Sequence, residues 1–105
     1  MAKCLLVDTD VMVDFLKGYP KAVTLVRKYA STIILSSIVT AEFYAGVKGN
    51  VELRTLDELI SVFRIVPVSN EISRLGALYK RDYATSFGIG LADAIVAATA
   101  EIEHA

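Results

Sequence analysis

The stretch Cys4–Leu16, "CLLVDTDVMVDFL", decides how the rest of the chain is read. It opens as an uninterrupted apolar run, the signature of a strand covered on both faces. It then places three carboxylates, Asp8, Asp10 and Asp14, within seven positions. Acids so close together repel one another and lose hydration if buried, so a chemical role is expected where the strand ends. Asp10 is expected to serve as N-cap of the helix "VMVDFLKG", in which Val11, Phe15 and Leu16 recur at helical spacing and Gly18 ends the run. Asp8, at the head of the strand, is expected to be partly buried and functional. Asp14, a turn further on, is expected at the surface.

Outward from that stretch, strands and helices alternate. "PKAVTLVRKYA" begins with a proline suited to a first helical position and carries Val23, Val26 and Ala30 on one side. "TIILSS" reads as a second strand, rich in β-branched residues. Ser36 or Ser37 can cap "IVTAEFYAGVKG", and Asn50 can cap "VELRTLDELISVF" with its stripe of Leu53, Leu56, Leu59 and Ile60. "RIVPV" is a short third strand whose proline points to a sheet edge. A long helix follows, capped by Ser69 or Asn70, with Ile72, Leu75, Leu78 and Tyr79 inward. A last helix starts near Gly90. This alternation predicts an α/β fold with parallel strands and right-handed crossovers, in which sites form beyond the carboxyl ends of the strands. The 105 residues predict a single domain.

Bulk composition narrows the function. At 54% apolar residues and a mean hydropathy of +0.50, the chain has the makings of a buried core and not of a disordered segment. Its longest uncharged run, "YASTIILSSIVTA", is too short to span a membrane, and "CLLV" is too short for a signal-peptide core. The expected location is the cytosol. One cysteine, Cys4, excludes an internal disulfide and a cysteine-built zinc site. With 11 basic and 12 acidic residues, the chain cannot grip nucleic acid by bulk charge. A nucleic-acid enzyme stays possible where a divalent cation meets the phosphate.

Two further acids stand out. Glu42, in "SSIVTAEFYAG", has small or apolar neighbours that are odd company for a solvated acid. Asp93, in "GIGLADAIVAATA", is the only charge between Tyr83 and Ala100. Its alternative role is a first-turn carboxylate favoured by the helix dipole. A strand end, a helix after the second strand and a late helix can converge on one pocket. Their oxygens are hard ligands suited to Mg²⁺ or Mn²⁺.

"LLVDTDVMVDFLKG", "LSSIVTAEFYAG" and "GIGLADAIVAATA", in this order, resemble the PIN domain, and in particular the toxin ribonucleases of VapBC toxin–antitoxin pairs. The resemblance covers essentially the whole chain. It implies a three-layer α/β/α fold around a parallel sheet and Mg²⁺- or Mn²⁺-dependent cleavage of RNA, leaving a 5′-phosphate. It implies catalytic and metal-binding roles for Asp8, Glu42 and Asp93, with Thr9 and Asp10 lining the pocket. An antitoxin partner and a homodimer are implied as well. Lys17, Lys48, Lys80 and Arg81 are candidate RNA contacts. The family continues beyond an "AATA" helix through another strand carrying a further polar metal-site residue. Against that pattern, roughly 20 to 30 residues are missing after "AEIEHA", more than loop variation explains. The first strand is then expected to have an open edge.

Two rival functions remain open on the residues. "LLVDTDV" also resembles the first motif of haloacid-dehalogenase-type phosphatases, with Asp8 as nucleophile and Asp10 as acid/base, but the late acidic pair such enzymes need is absent. A domain lacking the last strand could instead bind a partner while holding metal too weakly to cut RNA.

Overall fold

The computed structural model describes residues 4–105, leaving aside the side chains of residues 84–87. Lys3, expected in the first strand, lies outside the described residues. Within them the order is β1 (Leu5–Leu6), α1 (Thr9–Leu16), α2 (Pro20–Tyr29), β2 (Ile33–Ser36), α3 (Ser37–Ala45), α4 (Asn50–Ile60), β3 (Arg64–Val66), α5 (Asn70–Phe87) and α6 (Leu91–Ile102). The three strands form one parallel sheet in the order β1-β2-β3. Leu5 pairs with Ile33 and Leu6 with Ile34; on the other side of β2, Leu35 pairs with Ile65 and Ser36 with Val66.

The sheet separates two apolar layers, as strand alternation requires. Ile33 and Leu35 face a cluster with Val7, Met12, Val26 and Phe63, on the side of α1, α2 and α4. Ile34 faces Val66, Ile72, Ile95 and Ala98, on the side of α5 and α6, with Cys4 and Leu6 packed against them. Every β2 residue is buried, which explains its unbroken apolar run. The fold is the expected α/β/α arrangement, and no described helix is long and apolar enough to cross a membrane.

Several local expectations change. The chain leaves the sheet after Val7, whose N–H still reaches Ile34 O at 3.2 Å. Asp8, and not Asp10, is therefore the N-cap of α1: its backbone is extended and its Oδ1 accepts from Val11 N at 3.1 Å. Asp10 sits inside the first turn, where its charge meets the positive end of the helix. The face that α1 buries is centred differently from the Val11, Phe15 and Leu16 stripe. Met12 becomes fully buried and Leu16 is left 48% exposed. Gly49, at φ 130°, takes the N-cap of α4 in place of Asn50, because only glycine adopts that backbone freely. Ser36 and Ser69 cap as expected, accepting from Ile38 N and Ile72 N. Pro67 falls just after β3, which is an edge strand as its proline implied. β1 is the other edge of the described sheet, beside Asp8.

Helices α5 and α6 pack along one another closely enough that Gly76 is buried against Ile95. At the far end, Arg64 at the start of β3 pairs with Glu103 at the end of α6, at 3.2 Å. Helix α6 thus ends beside the amino end of β3 and begins about 18 Å away at 1.5 Å per residue.

Candidate functional site

Asp8 and Glu42 are brought near one another through Thr9 where the chain leaves β1, while Asp93 lines a separate groove between α5 and α6. Asp8 follows β1 directly and continues the alternation of Cys4 and Leu6, which face α5 and α6. It is exposed, contrary to the burial expected, because β1 is an edge strand and the chain turns away at this residue. Glu42 comes from α3, which is launched from the end of β2 by the Ser36 cap. Asp93 occupies the first turn of α6, next to its N-cap Gly90. Ala94, Ile95, Ala98 and Thr99 bury the opposite side of that helix, so the charge stays at the surface.

Asp8 and Glu42 are linked through the residue between them in space. Thr9 Oγ1 donates to Glu42 Oε1 at 3.1 Å, while Asp8 caps the helix that Thr9 begins. That bond orients Glu42 and leaves Oε2 for another partner. Neither these acids nor Asp93 forms an ion pair with a described residue: the described pairs are Arg64–Glu103 and Arg81–Asp82. Asp14 is half-buried and is not part of this group.

Thr9 and Glu42 open into a groove of about 510 Å³ between α1, α3 and α4, floored by Val13, Phe43 and Leu56. Lys17 stands on its rim with Glu52. The α3 and α4 walls are pinned by Tyr44 Oη, which donates to Asp57 Oδ1 at 2.6 Å. The carboxylate holds the tyrosine proton, pushing the Tyr44 pKa above its ordinary value of 10.0, with smaller contributions from desolvation and charge. A raised folded-state value means that the bond's stabilisation is present below the ordinary tyrosine value and is lost as pH rises through the raised one. Tyr44→Phe is expected to melt slightly below wild type at neutral pH, with the gap closing in alkaline buffer, as followed by thermal melts across pH.

The candidate RNA contacts are dispersed. Lys17 lies 5.9 Å over the Tyr19 ring at the first groove. Lys48 is exposed in the α3–α4 turn. Lys80 Nζ donates to Ile89 O at 3.2 Å, near Asp93, whereas Arg81 is engaged by Asp82 at 2.8 Å.

A hard divalent cation takes oxygen ligands and, in the case of Mg²⁺, is commonly held by one or two carboxylates with water completing the shell. The donor chemistry of Asp8, Glu42 and Asp93 fits such an ion. Among the described residues, no three or more Asp, Glu, His or Cys side chains stand close enough together to hold one.

Comparison with known proteins agrees with this architecture. The PIN domain family model matches residues 5–105. Ribonuclease VapC19 of Mycobacterium tuberculosis is 35% identical over 104 residues, covering 95% of this chain and 82% of its own length. Ribonuclease VapC10 of the same organism is 33% identical over 103 residues, covering 94% and 76%. Among solved structures, a chain of a toxin–antitoxin complex from Klebsiella pneumoniae superposes with a TM-score of 0.81 at 24% identity, covering 94% of this chain and 79% of that one. FitAcB from Neisseria gonorrhoeae gives 0.71 at 28% identity, covering 94% and 81%. The chain belongs to the PIN domain family, with VapC ribonucleases among its relatives.

Proposed function

We propose that this protein is a VapC-type toxin: a cytoplasmic endoribonuclease that hydrolyses RNA phosphodiester bonds with Mg²⁺ or Mn²⁺ and is paired with an antitoxin protein. The observation that carries the reading is the bond from Thr9 to Glu42 that holds this acid near Asp8 at the start of α1, in a PIN-family chain whose relatives include ribonucleases. Asp8 and Asp93 would hold the cation, with Glu42 as ligand or as the group that orients water. When bound, the ion supplies positive charge against the scissile phosphate and the departing oxygen. Glu42, steadied by Thr9 through Oε1, presents Oε2 to accept a proton from the attacking water. Thr9 and Asp10 would line the approach, and Lys17, Lys48, Lys80 and Arg81 are candidates for phosphate contacts. The likeness to a chain from a toxin–antitoxin complex supports the antitoxin partner. A homodimer is part of the same reading, as the family resemblance implies.

The test is incubation of the purified protein with a labelled single-stranded RNA. Cleavage that requires added Mg²⁺ or Mn²⁺ and stops with EDTA supports the reading; metal-independent cleavage, or none, opposes it. A second reading, a partner-binding module with feeble catalysis, is favoured by the finding that no three acids stand together among the described residues. Metal affinity separates the two, since only the first requires binding at working metal concentrations.

A further inference from the structure

A second groove, of about 440 Å³, runs between α5 and α6 and is lined by Tyr79, Tyr83, Ile89, Asp93, Ala94 and Ala97. It shares Asp93 with the proposed catalytic group and uses two tyrosines that the cleavage chemistry does not need. Tyr79 and Tyr83 lie one helical turn apart on α5, with ring centroids 6.2 Å apart and planes inclined by 57°. They meet at an angle and are not stacked face to face. Tyr83 is 48% exposed, and among the described residues α6 offers the groove the small side chains of Ala94 and Ala97 beside Asp93. The volume lies in the range of small-ligand sites.

The charges around this groove select its occupant. The charged residue in the lining is Asp93, and Lys80, outside the lining, donates to the carbonyl of Ile89 and so sets an ammonium group beside the groove. An apolar peptide would use the rings but gain nothing from the lysine, and an inorganic anion would use the lysine but not the rings. A nucleotide uses both: every base has a flat face for an aromatic side chain, and its phosphate suits a cation. In a duplex the base faces are already stacked, so only an unpaired strand can offer them.

We infer that the α5–α6 groove is a base-stacking subsite for an unpaired RNA nucleotide, with Tyr83 as the platform, Tyr79 flanking it and Lys80 meeting the phosphate. This rests on the ribonuclease reading and deepens it: the subsite adjoins Asp93, so the stacked nucleotide neighbours the bond to be cut, and the substrate is single-stranded there.

The test is fluorescence anisotropy with a fluorescein-labelled uridine decamer in EDTA at low salt, so that the probe stays intact. Wild type should bind the single strand better than a ten-base-pair RNA duplex. Tyr83→Ala should lose roughly five- to hundredfold in affinity, and Tyr83→Phe should stay within about twofold, since stacking needs the ring and not the hydroxyl. Lys80→Gln should lower the slope of affinity against salt by about one phosphate contact. Wild type failing to bind the decamer, or Tyr83→Ala binding as wild type does, overturns the inference. So does an affinity loss accompanied by a changed mass in solution, which would make the face a subunit interface. Metal-stimulated cleavage with unchanged Tyr83→Ala affinity would sink the subsite and leave the nuclease. Tyr83-dependent binding without metal-stimulated cleavage would do the reverse.

Discussion

Asp8→Asn is expected to reduce metal-stimulated RNA cleavage by more than about a hundredfold while leaving the melting temperature nearly unchanged. The expectation of a selective effect comes from the double duty of this residue. Its Oδ1 caps α1 by accepting from Val11 N, and asparagine caps a helix as well as aspartate does. The charge it contributes at the helix start stabilises by about 0.3–1 kcal/mol at an exposed position, so its loss costs little. Its proposed role as a metal ligand depends on that charge and has no substitute. Residues that only support metal ligands lose 10- to 100-fold when mutated, so a direct ligand should exceed that range. Asp8→Ala provides the contrast: it removes the cap as well and should cost about 1 kcal/mol of stability in addition to activity. Paired melts and cleavage assays on the two variants separate the roles, and undiminished cleavage by Asp8→Asn would refute the assignment.

The largest stability effect outside the apolar core is expected at Gly76. A β-carbon built there would lie 3.0 Å from both the Cα and Cγ1 of Ile95 and 3.2 Å from its backbone nitrogen. Two of these three atoms belong to the α6 backbone, so a rotamer change cannot relieve the clash. Alanine gains helix propensity of about 0.8–1 kcal/mol over glycine, which partly offsets the overpacking. Overpacking typically costs 1–3 kcal/mol. Gly76→Ala should therefore destabilise modestly, by about 1 kcal/mol or roughly 4–8 °C. Gly76→Val, bulkier and less suited to a helix, should cost about 3 kcal/mol. Because Ile95 lies two residues beyond Asp93, moving α6 outward also shifts that carboxylate. Gly76→Ala should lower cleavage more than its melting temperature alone implies. Denaturant titration and cleavage at a temperature where both proteins are folded would show this; equal melting temperatures would mean that α5 and α6 are not in close register.

The layers of the fold were legible because they rest on periodicity. The continuous apolar run at Ile33–Leu35 required burial on both faces, and β2 is the buried middle strand. Helix starts were less legible where two polar residues competed. Asp8 and Asp10 can both cap, and the choice depends on where the sheet releases the chain, which a hydrogen bond from Val7 to a distant strand decides. The burial of Met12 and the exposure of Leu16 were not legible either, because the docking of α1 on the sheet decides which face is covered. For the site, the acids were conspicuous because a charge among small or apolar residues is anomalous. Their relative placement was less so, since it depends on tertiary packing. Ser37 illustrates this: its Oγ accepts from Val68 N at 3.0 Å and ties α3 to the exit of β3, which only one of two adjacent serines can do. Tyr79 and Tyr83 are hard to recognise as a pair in the sequence because Tyr79 fits the inward stripe of α5; their spacing of four beside Lys80 and Arg81 is the signal it carries.

The proposition beneath all of this is that Asp8, Glu42 and Asp93 serve one divalent cation. Crystals of the protein grown with Mn²⁺ and measured at the manganese absorption edge address it most directly. The expected result is an anomalous peak at the end of the sheet, within about 2.0–2.4 Å of an oxygen of Asp8 and of at least one of the other two acids. An absent peak at saturating Mn²⁺, or one bound elsewhere with these carboxylates still apart, would contradict it.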